Sequence, residues 1–79
     1  MPTVLRVAGY RFFFFSNEGD EPTHIHVETA GKHAKYWLGP VVLASSHGYS
    51  SKELSRITRL VVDNEGLFVE RWHEHFRGQ

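Results

Sequence analysis

The sequence predicts an α+β domain: an antiparallel β-meander of four or five strands followed by two C-terminal helices packed on one face. Three observations predict it. His24-Ile25-His26-Val27-Glu28 alternates polar and apolar residues among β-branched neighbours, the pattern of a strand with one face in a core. Ala8-Gly9 and Ala30-Gly31 each separate two strand-like runs, where a tight turn needs a positive φ. From Ser50 onward the apolar period lengthens from two to between three and four, the signature of amphipathic helices.

Taken in order, Thr3 to Val7 reads as the first strand and Tyr10 to Ser16 as the second. A two-residue turn between them sets Val7 opposite Tyr10, Arg6 opposite Arg11, Leu5 opposite Phe12 and Val4 opposite Phe13. One face then carries Leu5, Val7, Tyr10, Phe12 and Phe14; the other carries Val4, Arg6, Arg11, Phe13 and Phe15. Both faces are partly apolar, so the second also needs a cover: a partner chain, a loop, or the helices. Ser16 to Pro22 is a polar, acidic loop by composition. The histidine strand follows, then a turn near Ala30-Gly31 and a strand from His33 to Leu38. Here His24 falls opposite Trp37, His26 opposite Lys35 and Glu28 opposite His33, while Ile25 and Val27 pair with Tyr36 and Ala34 on the core face. Gly39-Pro40 ends that strand, Val41 to Ala44 forms a short fifth, and Ser45 to Tyr49 is a loop.

Ser50-Ser51-Lys52-Glu53 fits a capping box, and Leu54, Ile57, Leu60 and Val61 recur at helical spacing behind it. Asp63-Asn64 and Gly66 reset the pattern. A second helix from about Glu65 to Arg77 places Phe68, Trp72 and Phe76 on one stripe, and such stripes pack into cores.

Composition narrows the classes. Seventy-nine residues make one domain over positions 1–79, with no cysteine for a disulfide. Nine basic residues balance nine acidic ones, so no global field recruits nucleic acid or an anionic membrane. The longest apolar run, Phe12 to Phe15, is far short of the ~20 residues of a spanning helix. Met1 to Arg6 lacks the parts of a signal peptide. A cytoplasmic location with no membrane association is expected.

Several segments carry a resemblance: Thr3-Val4-Leu5-Arg6, Gly9-Tyr10-Arg11-Phe12-Phe13-Phe14, Ser16-Asn17-Glu18-Gly19, Glu21-Pro22 and His24-Ile25-His26-Val27. Gly48-Tyr49-Ser50, Glu53-Leu54 and Trp72-His73-Glu74 extend it. Together they resemble a bacterial family of unknown function, numbered forty-one sixty, over nearly the whole chain. Members usually carry two prolines before the first histidine, and Thr23 stands where the second would be. The resemblance implies a small bacterial protein often encoded beside a second small one, a pair commonly grouped with toxin–antitoxin modules. It implies no agreed catalytic activity.

The polar face of the histidine strand is the candidate site. His24 and His26 stand two residues apart, which brings their side chains to one face at roughly 7 Å. Three chemistries fit such a pair. A zinc site needs one or two further ligands, and Glu28, His33 or the acidic loop are the available sources. A metal-independent ribonuclease would use His24 and His26 as acid and base, Arg6, Arg11 and Lys35 as the cationic groups around the phosphate, and Phe13, Phe15 and Trp37 to stack on unpaired bases. A protein interface would use the same aromatic and arginine residues as anchors. The expected function is the third: one half of a toxin–antitoxin-like pair, binding a small protein encoded by a neighbouring gene, with a homodimer also open. The alternative is the ribonuclease-type toxin, with RNA as the partner. No cofactor and no metal are expected.

Overall fold

The computed structural model describes residues 3–77, so Met1 and Pro2, which open the signal-peptide reading, lie outside the described residues. Five strands precede two helices: β1 (Thr3–Val7), β2 (Tyr10–Phe13), β3 (His24–Thr29), β4 (Lys32–Trp37), β5 (Val42–His47), α1 (Ser51–Asp63) and α2 (Glu65–Phe76). The strands form one antiparallel sheet in chain order, β1-β2-β3-β4-β5. This is the α+β meander with two C-terminal helices that the sequence predicts. Among the described residues, no helix is long and apolar enough to cross a membrane.

Two hairpins share one turn chemistry. Ala8 and Gly9 have φ of 52° and 84°, and Ala30 and Gly31 have 46° and 83°. Two successive left-handed residues make the turn whose twist matches that of the flanking strands. Glycine accepts this region freely, whereas alanine adopts it at a cost, so the pairing of the strands holds each alanine there. These turns set the predicted registers. Val7 pairs with Tyr10, Arg6 with Arg11 and Leu5 with Phe12, and the six β3–β4 pairs run from His24–Trp37 to Thr29–Lys32.

The structure corrects the sequence reading in three places. An irregularity in β1 between Thr3 and Leu5 sets Thr3, not Val4, opposite Phe13. β2 stops at Phe13 rather than Ser16, because the chain turns away: the Glu18 N–H donates to the Phe15 carbonyl and the Glu18 side chain accepts from the Phe15 N–H. β5 runs from Val42 to His47, taking in residues expected in a loop, after a register shift opposite Lys35 and Tyr36. Polar Ser45-Ser46-His47 gives no strand signal of its own; it is ordered by pairing with β4.

The helices cover the face of Phe12, Ile25, Val27, Ala34 and Tyr36, all of them buried. Phe12 meets Phe68 of α2 with ring centroids 5.2 Å apart. Tyr36 keeps its ring in the core and its hydroxyl 2.8 Å from that of Thr58 on α1, so burial costs no unpaired polar group. Ser50 caps α1 as predicted: its Oγ accepts from the Glu53 N–H, and the Glu53 carboxylate accepts from the Ser50 N–H. Ser50→Ala should therefore lower stability by about 1 kcal/mol in urea denaturation. A loss near zero would show that α1 starts without this cap.

Candidate metal-binding cluster on the histidine strand

Alternation along β3 turns His24, His26 and Glu28 away from Ile25 and Val27. The acidic loop folds over one end of that face. It turns on two backbone hydrogen bonds, from the Glu18 N–H to the Phe15 carbonyl and from the Glu21 N–H to the Glu18 carbonyl. This places the Glu18 carboxylate against both histidines.

His24 is fully buried. Because β2 ends at Phe13, its pairing with β3 stops at His26. The His24 ring instead meets Trp72 of α2 at 4.8 Å between centroids and Trp37 of β4 at 5.6 Å. Its Nδ1–H donates to the Pro22 carbonyl at 2.9 Å. A carbonyl can only accept, so that contact puts the proton of a neutral ring on Nδ1 and leaves Nε2 with a lone pair. Nε2 lies 2.9 Å from Glu18 Oε1 yet makes no hydrogen bond, since proximity is not matched by direction.

His26 is only partly buried. Its Nε2–H donates to Glu18 at 2.9 Å, its ring stacks on Phe13 at 5.3 Å, and Phe15 meets it edge-on at 5.0 Å. Burial lowers the His26 pKa, outweighing the hydrogen bond and charge of Glu18, which raise it. Burial raises the Glu18 pKa in turn. The Phe15 N–H and the two imidazoles oppose that and bring the carboxylate below its usual value. Glu18 is thus an ionised acceptor bonded to the His26 ring, with the His24 Nε2 close beside it.

Of the other predicted site residues, Arg11 and Lys35 fall around this cluster, already engaged. Arg11 pairs with Glu28 and lies over the Phe13 ring at 4.2 Å. Lys35 pairs with Glu21 at 2.8 Å and lies over the Trp37 ring at 4.4 Å. Arg6 faces Arg11 across the hairpin, in the row of Glu28 and His33, and is not brought to the histidines. Phe13 shares the histidine face, as alternation requires, but is 5% exposed, whereas Phe15 is 40% exposed. His33 does not join either. It stacks on His47 of β5 at 5.2 Å, a contact that follows from the longer fifth strand.

The described residues therefore hold one group suited to a cation, Glu18, His24 and His26, with ligand atoms within 4.8 Å of one another. Strand spacing yields the two histidines. Sequence reasoning does not single out Glu18, because an aperiodic loop says only that acids are nearby, not which one folds back. No curated protein and no solved structure matches the chain. Residues 9–73, from the first hairpin turn through most of α2, match the model of a domain of unknown function (DUF4160), and the chain belongs to that family.

Proposed function

We propose that the protein acts by binding another protein, as one half of a toxin–antitoxin-like pair, and that the partner adds an extended segment to β5. The observation that carries this reading is the character of that strand. β5 is the last strand of the sheet, and all six of its residues are exposed. It has no charged residue, and Val42 and Leu43 are 49% and 40% exposed. Leu43 sits opposite Tyr36 and Val42 opposite Trp37, so the strand offers apolar groups on both sheet faces. Soluble proteins usually guard an open edge with lysine, proline or a covering element, and strand addition is the mode by which such an edge takes a partner.

Cleavage of RNA by His24 and His26 is less well supported. Arg11 and Lys35 are each paired with a carboxylate, and Glu18, Glu21 and Glu28 outnumber these two cations around the histidines. That balance repels phosphate.

The test is co-purification with the protein encoded beside this one. Val42→Lys combined with Leu43→Lys should leave melting nearly unchanged, since both side chains are exposed. It should weaken the complex by at least about 10-fold, or about 1.4 kcal/mol, and hydrogen exchange in the wild-type complex should slow across residues 42–47. Undiminished binding by the double variant, or no complex at all, would remove the proposal. Loss of a homodimer alone would make a second copy the occupant of β5.

A further inference from the structure

We propose that Glu18, His24 and His26 bind one divalent transition-metal ion, with Zn2+ the type that fits. This is independent of docking at β5.

The inference starts from His24 Nε2. It is buried, deprotonated in the tautomer set by Pro22, and without a hydrogen-bond partner. An orphaned buried nitrogen is costly, and this one lies 2.9 Å from a carboxylate oxygen to which it makes no hydrogen bond. A cation held between them would give both atoms a partner. His26 Nε2, 2.9 Å from the other carboxylate oxygen, supplies the third ligand once its proton is released.

The surrounding contacts are those a metal site uses. A ligating histidine commonly donates its other ring N–H to a carbonyl, as His24 does to Pro22. The carboxylate is itself held by the Phe15 N–H at 2.9 Å. Trp72 and Trp37 wall the His24 side, while His26 borders an open groove lined by Phe13, Phe15, Lys35 and Ser45. Three protein ligands leave a further coordination position for water or a partner's side chain.

The donor set selects the metal. Two imidazoles and one carboxylate suit Zn2+ and its neighbours in the first transition row. Mg2+ and Ca2+ prefer all-oxygen sites, and a chain without cysteine offers no thiolate to softer ions. The sequence-based expectation of no metal rests on how often two histidines occur without a cysteine pair or a helical His-Glu-x-x-His. Of the further ligand sources named there, Glu28 and His33 are engaged with Arg11 and His47, and the acidic loop supplies Glu18.

The experiment uses the full chain without a histidine tag, stripped with a chelator and titrated with Zn2+, Co2+ and Mg2+ by calorimetry. Zn2+ and Co2+ should bind at one equivalent, raise the melting temperature, and displace Mg2+ from no site of comparable affinity. Co2+ should also quench tryptophan emission, because both tryptophans flank His24. His26→Gln and Glu18→Gln should each weaken Zn2+ at least about 10-fold, the least that even an outer contact of a metal ligand is worth. His24→Gln should do the same, and if that buried change unfolds the chain the other two variants carry the test. His33→Gln with His47→Gln should leave binding intact, since these two stack on each other and are not part of the group of ligand atoms formed by Glu18, His24 and His26. Zn2+ binding no tighter than Mg2+, or binding that survives His26→Gln and Glu18→Gln, overturns the site. Binding lost only with His33 and His47 overturns it equally.

Discussion

Trp72→Ala is expected to cost about 3–5 kcal/mol, the usual loss for truncating a buried aromatic side chain. A single core in a domain this small rarely supplies more than about 3–5 kcal/mol, so most of the population should unfold near physiological temperature. Trp72 is 4% exposed and meets Phe14, Phe76 and His24 at 5.3, 4.4 and 4.8 Å between centroids. Its removal would empty the joint between α2 and the start of β3 and expose His24 to water. Circular dichroism melts and urea midpoints measure the loss, with Trp72→Phe expected to lose clearly less because a ring still fills the site. Unchanged melting of Trp72→Ala would mean that α2 does not close this end of the sheet.

The second large effect separates two neighbouring phenylalanines. Phe13→Ser should destabilise the fold by about 3 kcal/mol, toward the value for loss of a buried ring, although Phe13 lies on the face away from the helices. It is enclosed by Arg11 at 4.2 Å, by the stacked His26 at 5.3 Å and by the edge of Phe15 at 5.3 Å. Phe15→Ser should cost about 1 kcal/mol or less, as a substitution at a largely exposed position does. Alternation by itself assigns both residues to a surface whose loss spares the fold. Equal melting of the two variants, both close to wild type, would restore that simpler assignment and remove the satellite core around Phe13.

Much of the fold was legible because its signals are local. A strand's two-residue period separates Ile25 and Val27 from His24 and His26 whatever lies around them. A two-residue Ala-Gly turn sets parity, so the facing pairs of β3–β4, and those of β1–β2 from Leu5 to the turn, follow from counting. The capping box of Ser50 and Glu53 is complete within four residues, and the stripe of Phe68, Trp72 and Phe76 needs only helical spacing to share a side.

The sequence by itself therefore determined the meander, the helix start, the core face of β3 and β4, and the pair of histidines on the opposite face. Only the tertiary structure decided what those histidines meet. Glu18 comes from a loop with no period, and its direction depends on hydrogen bonds to Phe15 and Glu21. The burial of Phe13 depends on how Arg11, His26 and that loop close around it. The extension of β5 through Ser46 and His47 comes from pairing with β4, not from β-propensity. Local rules specify which side of the sheet a residue occupies. Which groups then come within 3 Å of it depends on contacts between distant parts of the chain, and the cluster of Glu18, His24 and His26 is made by those contacts.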